Sequence, residues 1–195
     1  MTYRDVAFMG RMGSGKDSAA ARLVEQRQYT RVAFADALRT TALDLDPIVG
    51  AESSGYGALP IRLSDLVRRY GWDRAKDVYP EVRRTLQRLG QAVREHDPGH
   101  WLRLALAKLD TADAWGLPAV VTDCRHVNEA QALRARGVLL VRIVRPAAGG
   151  RAGGAAEQQH VSETALDAFP ADVTIHNVGT VAELYAAVDA LPVLV

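Results

Sequence analysis

At 195 residues, with 48% hydrophobic and 24% charged side chains, the chain has the make-up of a globular protein that buries a core, not of a disordered one. Its 24 Lys+Arg against 23 Asp+Glu leave a net charge of +1, which argues against a polybasic, nonspecific nucleic-acid binder. A single cysteine, Cys124, excludes an internal disulfide and a thiolate metal cluster. No apolar run approaches the roughly 18 residues of a membrane span, and Met1-Thr2-Tyr3-Arg4-Asp5 opens no signal segment, so a cytoplasmic protein is expected.

Val6-Ala7-Phe8-Met9 is an apolar run that meets a glycine and reads as a buried first strand. Gly10 to Gly15 is a turn, and Ser18 to Val24 has high helix propensity. Val32-Ala33-Phe34 is a second strand, after which Asp36 stands where a helix cap stands. Residues 46–60, rich in Gly, Ser and Pro, read as a loop. Ser64 to Tyr70 is helical, and Pro80 suits the first position of a helix running to Glu95. Val82, Leu86, Leu89 and Val93 share one side of that helix, while Arg84, Gln87, Arg88, Gln91 and Glu95 share the other. Helix continues from Trp101 to Leu109; Trp101 is expected in the core. Ala119 to Thr122 is a buried strand, Asn128 to Arg136 a helix, and Val138 to Val144 the most apolar strand. Residues 146–159 are rich in Gly and Ala; a strand at Val173-Thr174-Ile175 and a helix from Val181 to Leu191 follow. Alternating helices with short apolar strands predict an α/β fold with a parallel sheet covered on both faces.

Charge is unevenly spread. Residues 61–145 hold 16 basic and 10 acidic side chains, whereas 146–195 hold one basic and six acidic. A basic middle in a near-neutral chain suits a small anionic ligand in a cleft. Gly10-Arg11-Met12-Gly13-Ser14-Gly15-Lys16 fits the frame G-x-x-x-x-G-K between a strand and a helix. Glycines there let consecutive N–H groups curl around a phosphate, the helix N-terminus adds its positive dipole end, and Lys16 reaches the outer phosphates. The frame expects Ser or Thr next, for Mg²⁺; here Asp17 stands there, with Ser18 after it. A carboxylate holds Mg²⁺ directly or through water, and Ser18 remains to bond the α-phosphate. Asp123 ends an apolar strand, the place of a metal-binding acid, and Arg125 stands two residues on at the carboxyl edge of the sheet. As alternatives, Asp123 is a helix cap and Arg125 a surface side chain.

These segments come together in a known pattern. Gly10 to Ser18 with its Gly15-Lys16-Asp17-Ser18 ending, Phe34-Ala35-Asp36-Ala37-Leu38, the Arg84…Gln87…Leu89-Gly90 helix, Thr122-Asp123-Cys124-Arg125 with Asn128-Glu129, His160-Val161-Ser162-Glu163 and Ala171 to Asn177 with Gly179-Thr180 resemble phage-type deoxynucleoside monophosphate kinases. The resemblance covers nearly the whole chain, and its Gly-Lys-Asp ending is usual in that family. It implies a P-loop NMP-kinase-like three-layer fold: a five-stranded parallel sheet with helices on both faces, all in one kinase domain, 1–195. Within it a helical monophosphate-binding part is expected at 46–115 and a mobile lid at 146–165. With 21 arginines to three lysines, it also implies a GC-rich actinobacterial phage as source.

The activity so implied is ATP + dNMP ⇌ ADP + dNDP with Mg²⁺. Lys16, Arg125, Arg145 and Arg151 would neutralise the transferring phosphoryl. Arg11 to Ser18 would hold ATP, with Asn177 beside the adenine site, and Asp17 and Asp123 would hold the metal. Asp36, Arg69, Trp72, Arg84, Gln87, Arg88, Gln91 and Asp123 would hold the monophosphate; Arg84 and Arg88, a turn apart, suit bidentate phosphate contacts. The partners implied are ATP, ADP and the monophosphate, with no membrane and no specific nucleic acid; a homodimer is left open. The other small-molecule P-loop kinases, of shikimate, gluconate or dephospho-CoA type, share the loop. A nucleotide-dependent switch is disfavoured, since no N-K-x-D motif accompanies Asp113-Ala114-Trp115-Gly116.

Overall fold

A computed structural model describes residues 3–146 and 165–194. The chain divides into two compact units, Met1–Phe34 with Ala105–Val195, and Ala35–Leu104.

The first unit is built on a five-stranded sheet. Its strands are β1 (Val6–Met9), β2 (Thr30–Val32), β5 (Ala119–Cys124), β6 (Leu139–Val144) and β7 (Val173–His176), in the order β2-β5-β1-β6-β7. All four pairings are parallel. Strands buried on both faces show apolar runs instead of alternation, which is why Val6–Met9 and Ala119–Thr122 read as strands from sequence. Side chains still divide by parity. Val6, Phe8, Val120, Leu139, Val141 and Ile143 share one core with Ala19, Ala20 and Leu23 of α1 (Lys16–Arg27) and Leu184 and Val188 of α7 (Val181–Asp189). Ala7, Met9, Val121 and Leu140 point to the opposite face and are buried there, where α6 (Val127–Ala135) packs against β6.

The strand order positions the site. The chain leaves β1 for β2 on one side, while β6 leads toward β7 on the other. The carboxyl ends of β1 and β6 therefore flank the point where the order reverses, the crevice in which open α/β sheets bind ligands. Register brings Met9 beside Cys124 on one side and Arg142 on the other, so the loop after β1 emerges between residues 124–125 and 142–145.

The second unit holds most of α2 (Phe34–Leu45), a hairpin of β3 (Ile48–Ser54) and β4 (Gly57–Arg62), α3 (Leu63–Val78), α4 (Pro80–His96) and the start of α5 (His100–Ala114). The hairpin corrects the loop expected at 46–60. Only Val49 and Ile61 of its two strands are buried, so no apolar alternation marks it. Its turn is the pair Gly55-Tyr56, closed by Ser54, whose Oγ donates to the Gly57 carbonyl at 2.9 Å and accepts from the Tyr56 N–H at 3.1 Å. Helix α3 extends past Tyr70 but kinks at Gly71, where φ is 72°. Its Leu63, Leu66 and Ala75 join Ala42, Val49, Ile61 and Val82 in a separate small core, with Leu86 and Leu89 packed on it. Trp101 is buried and donates Nε1–H to the Gly90 carbonyl at 3.2 Å.

Candidate phosphate-binding site

The loop after β1 has the shape its glycines permit. Gly10 has φ of +139°, and a Cβ there would lie 2.3 Å from the Ile143 carbonyl oxygen of β6, so only glycine lets the loop leave the sheet at this point. The Ser14 N–H donates to the Arg11 carbonyl at 3.2 Å and closes the turn. Gly15, at φ 106°, caps α1, whose first residue is Lys16. Lys16 is buried; its Nζ donates to the carbonyls of Gly10 at 2.7 Å and Arg11 at 2.8 Å. Thus the ammonium folds over the loop whose N–H groups and helix dipole it would share with an anion. Ser14 is buried as well, and its Oγ has no hydrogen-bond partner among the described residues. Asp17 is exposed in the first turn of α1, and Ser18 is half-buried.

Beside this loop lies a cleft of about 380 Å³, bounded by Gly10 and Ser14 on one wall and by Ile143 to Pro146 on another. Four arginines, Arg11, Arg125, Arg142 and Arg145, line it. Arg142, on β6, donates to the carbonyls of Leu166, at 2.7 Å, and Phe169. Arg11, though on the loop, pairs with Asp167 across the cleft at 2.6 Å. Arg145 is exposed at the end of β6. Arg125 is held through its backbone: Oε2 of Glu129 accepts the N–H groups of Arg125 at 2.9 Å and His126 at 3.0 Å. Glu129 is 2% exposed, a buried carboxylate at the start of α6 that fixes the exit of β5. In the sequence Glu129 stands in the Thr122–Glu129 motif without a role; in the structure it is the N3 residue of α6, three past the cap residue His126. Cys124 lies in the same wall with its thiol pushed well above the usual range by burial, with Glu129 and Asp123 adding to it, which leaves it inert as a nucleophile.

Asp123 is half-buried at the end of β5, and its Oδ1 accepts the N–H of Phe34, the first residue of α2, at 2.8 Å. One carboxylate oxygen thus ties down the exit of β2. Asn177 turns its side chain to the loop: Nδ2 donates to the Ser14 carbonyl at 2.8 Å.

In the second unit the expected acceptor residues fall into two groups. Arg84 and Arg88 lie on the exposed face of α4, with Glu81 at 3.2 and 3.7 Å, and Gln87 and Gln91 share that face. Gln91 donates to Glu95 at 3.1 Å. Arg69 pairs with Glu52 of the hairpin at 2.6 Å, and Glu52 also accepts from the Tyr79 hydroxyl at 3.3 Å. Asp36 and Trp72, by contrast, meet around a residue the sequence reading passed over. Arg39 lies 3.9 Å from Asp36 and stacks its guanidinium 5.7 Å from the Trp72 ring centre. Its spacing of three residues from Asp36 on one helix was the signal. Arg151, His160, Ser162 and Glu163 lie outside the described residues, as does the expected lid at 146–165 apart from its ends.

A parallel five-stranded sheet with a glycine loop, a capped helix and a buried lysine at its switch point defines the P-loop class of α/β proteins. The chain belongs to the deoxynucleotide monophosphate kinase family, whose model matches residues 68–188. That span begins beyond the phosphate loop, so the loop and the match are separate observations. A deoxynucleotide monophosphate kinase of Escherichia phage RB69 is 29% identical over 147 residues, covering 74% of this chain and 57% of that protein. The chain therefore spans little more than half the length of that relative. A relative in Acanthamoeba polyphaga mimivirus is 26% identical over 196 residues, covering 94% of this chain and 93% of its own. In fold, the chain resembles the crystal structure of TT1252 from Thermus thermophilus, with a TM-score of 0.51 at 18% identity over 97% of this chain and 96% of that one.

Proposed function

We propose that the protein transfers the γ-phosphoryl group of ATP to a deoxynucleoside 5′-monophosphate, giving dNDP and ADP, in a single kinase domain. The observation that carries this is the preformed loop: Lys16 folded over the Gly10 and Arg11 carbonyls, beside a cleft lined by four arginines. The buried Ser14 Oγ adds support, as a hydroxyl that a phosphate oxygen would satisfy. Family membership supports the monophosphate acceptor.

Arg11, Met12, Gly13, Ser14, Gly15, Lys16, Asp17 and Ser18 would hold the triphosphate. The acceptor's phosphate oxygen is already ionised near neutral pH, so no strong general base is needed and catalysis rests on positioning and charge neutralisation. Lys16, Arg125, Arg145 and Arg151 would supply that neutralisation. Asp17 and Asp123 suit Mg²⁺, which binds through one or two carboxylates together with waters and phosphates. Asp17 is exposed, and Asp123 is half-buried at the end of β5, its Oδ1 accepting the Phe34 N–H. When bound with ATP, the ion would neutralise charge on the phosphates. For the acceptor, Asp36, Trp72, Arg84, Gln87, Arg88 and Gln91 are the proposed set, joined by Arg39; Arg69 would have to exchange Glu52 for substrate. A helical monophosphate-binding part at 46–115 and a lid at 146–165 complete the proposal.

The test is a coupled ADP-release assay with ATP and Mg²⁺ across all dNMPs and NMPs, with shikimate and gluconate alongside. Turnover on one or more dNMPs is expected. Turnover on shikimate or gluconate alone would assign the loop to another small-molecule kinase, and no ADP release with any acceptor would overturn the kinase reading.

A further inference from the structure

Asn177 follows β7 directly. Its backbone N–H donates to the Val144 carbonyl at 2.8 Å, just beyond the β6–β7 ladder, so its backbone is tied to β6. The residue is 7% exposed, and its side chain donates Nδ2–H to the Ser14 carbonyl at 2.8 Å, joining residues 163 positions apart. That carbonyl sits in the middle of the phosphate loop.

The peptide unit between Ser14 and Gly15 is planar and trans, so its C=O and its N–H point in opposite directions. Holding the carbonyl from the side of Asn177 turns the Gly15 N–H away from it. The fit is mutual. A Cβ on Gly15 would lie 2.6 Å from Asn177 Nδ2 and 3.2 Å from Leu184 Cδ2, so the absence of a side chain at 15 is what admits the amide. A donor is required at this place. A carboxylate would face the Ser14 carbonyl oxygen acceptor to acceptor, and would bring negative charge toward a site built for phosphates.

We propose that Asn177 is a positioning residue of the phosphate loop. Its amide anchors the Ser14 carbonyl, directs the Gly15 N–H to the opposite side, and pre-forms the loop for a polyphosphate chain. The residue so acts on the phosphates through the backbone, not on the adenine. This rests on reading Gly10 to Ser18 as a phosphate loop, and the experiment separates the two.

Binding of inorganic tripolyphosphate and of ATP to the full chain is measured by calorimetry for wild type, Asn177→Ala, Asn177→Asp and Val188→Ala. KM for ATP, KM for the monophosphate, kcat and Tm accompany each. Val188, fully buried in α7, is the control for stability lost without touching the loop. Losing one hydrogen bond that holds the loop should weaken both ligands about tenfold in Asn177→Ala, and further in Asn177→Asp. KM for the monophosphate should stay within about twofold of wild type, the hallmark of a role confined to the triphosphate side. Asn177→Asp preserves side-chain volume and gives the reading if Asn177→Ala does not fold. Wild-type affinity in the Asn177 variants would overturn the proposal, as would an equal loss in Val188→Ala at matched Tm. A wild-type protein that binds neither ligand would overturn the phosphate-loop reading, and the inference with it.

Discussion

Lys16→Met keeps the reach of the side chain and removes its charge. In the folded protein Lys16 is 7% exposed, and its ammonium makes two hydrogen bonds, at 2.7 and 2.8 Å, to the Gly10 and Arg11 carbonyls. Each bond to a charged donor contributes about 1.5–3 kcal/mol net of desolvation, so losing the pair costs at most roughly 3–6 kcal/mol. At roughly 2–4 °C per kcal/mol for a chain of this size, that bounds the fall in Tm at roughly 24 °C. Catalysis should suffer more, because methionine offers nothing to the charge on the transferring phosphoryl. Loss of one such electrostatic contact costs roughly 10²–10³ in kcat. The assay is ADP release at saturating ATP and acceptor, with Tm by scanning calorimetry on the same preparation. Near-normal turnover would refute the role given to Lys16. A dead enzyme whose Tm has fallen beyond that bound would refute the reasoning too, since the lysine would then be structural.

Arg84 and Arg88 are 59% and 76% exposed, and as surface groups each contributes only about 0–1 kcal/mol. If they grip a phosphate, Arg84→Ala or Arg88→Ala should raise KM for the monophosphate at least tenfold, about 1.4 kcal/mol, with Tm and KM for ATP little changed; unchanged KM in both would move the acceptor site to Asp36, Arg39 and Trp72. Glu129→Gln retains one acceptor oxygen for the Arg125 and His126 N–H groups but loses the charge-assisted bonds, so kcat should fall several-fold, and Glu129→Ala further; equal kcat in all three forms would detach Glu129 from Arg125. Burial raises the Tyr29 hydroxyl from 10.0 to about 12, while its proton is donated to the Arg4 carbonyl at 2.7 Å. The folded form therefore keeps its proton where the unfolded chain loses it, so stability is intact below pH 10 and declines toward pH 12, by about 1.4 kcal/mol per pH unit. Tyr29→Phe should remove that part of the decline in Tm measured from pH 8 to 12; an unchanged slope would refute it.

Much of the fold was legible in the sequence because it is written locally. The run Val6–Met9, the glycines at 10, 13 and 15 and the helix-forming residues after Lys16 are contiguous, so strand, loop and helix follow from propensity and conformational freedom alone. The two-faced pattern of α4 likewise announced Val82 as core and Arg84 and Arg88 as surface. The hairpin at 48–62 stayed hidden because its strands bury only Val49 and Ile61; ladder hydrogen bonds, which leave no mark on composition, hold the rest.

The partners of the polar groups were decided only in three dimensions. A carboxylate at the end of an apolar strand is visible in the sequence, but its bond to the Phe34 N–H depends on β2 lying beside β5, a neighbour 89 residues away. The same holds for Trp72, brought from another helix to the Arg39 guanidinium by a packing that no periodicity specifies. It holds most for Asn177. Residue type and position after a strand say only that an amide stands there. That it meets the Ser14 carbonyl follows from β7 reaching the sheet edge beyond β6 and from the room left by Gly15. Local sequence determines backbone preference and which faces are apolar, since both depend on near neighbours along the chain. Hydrogen-bond partners across the sheet depend on strand order and register, and those are set by how all the apolar faces are buried at once.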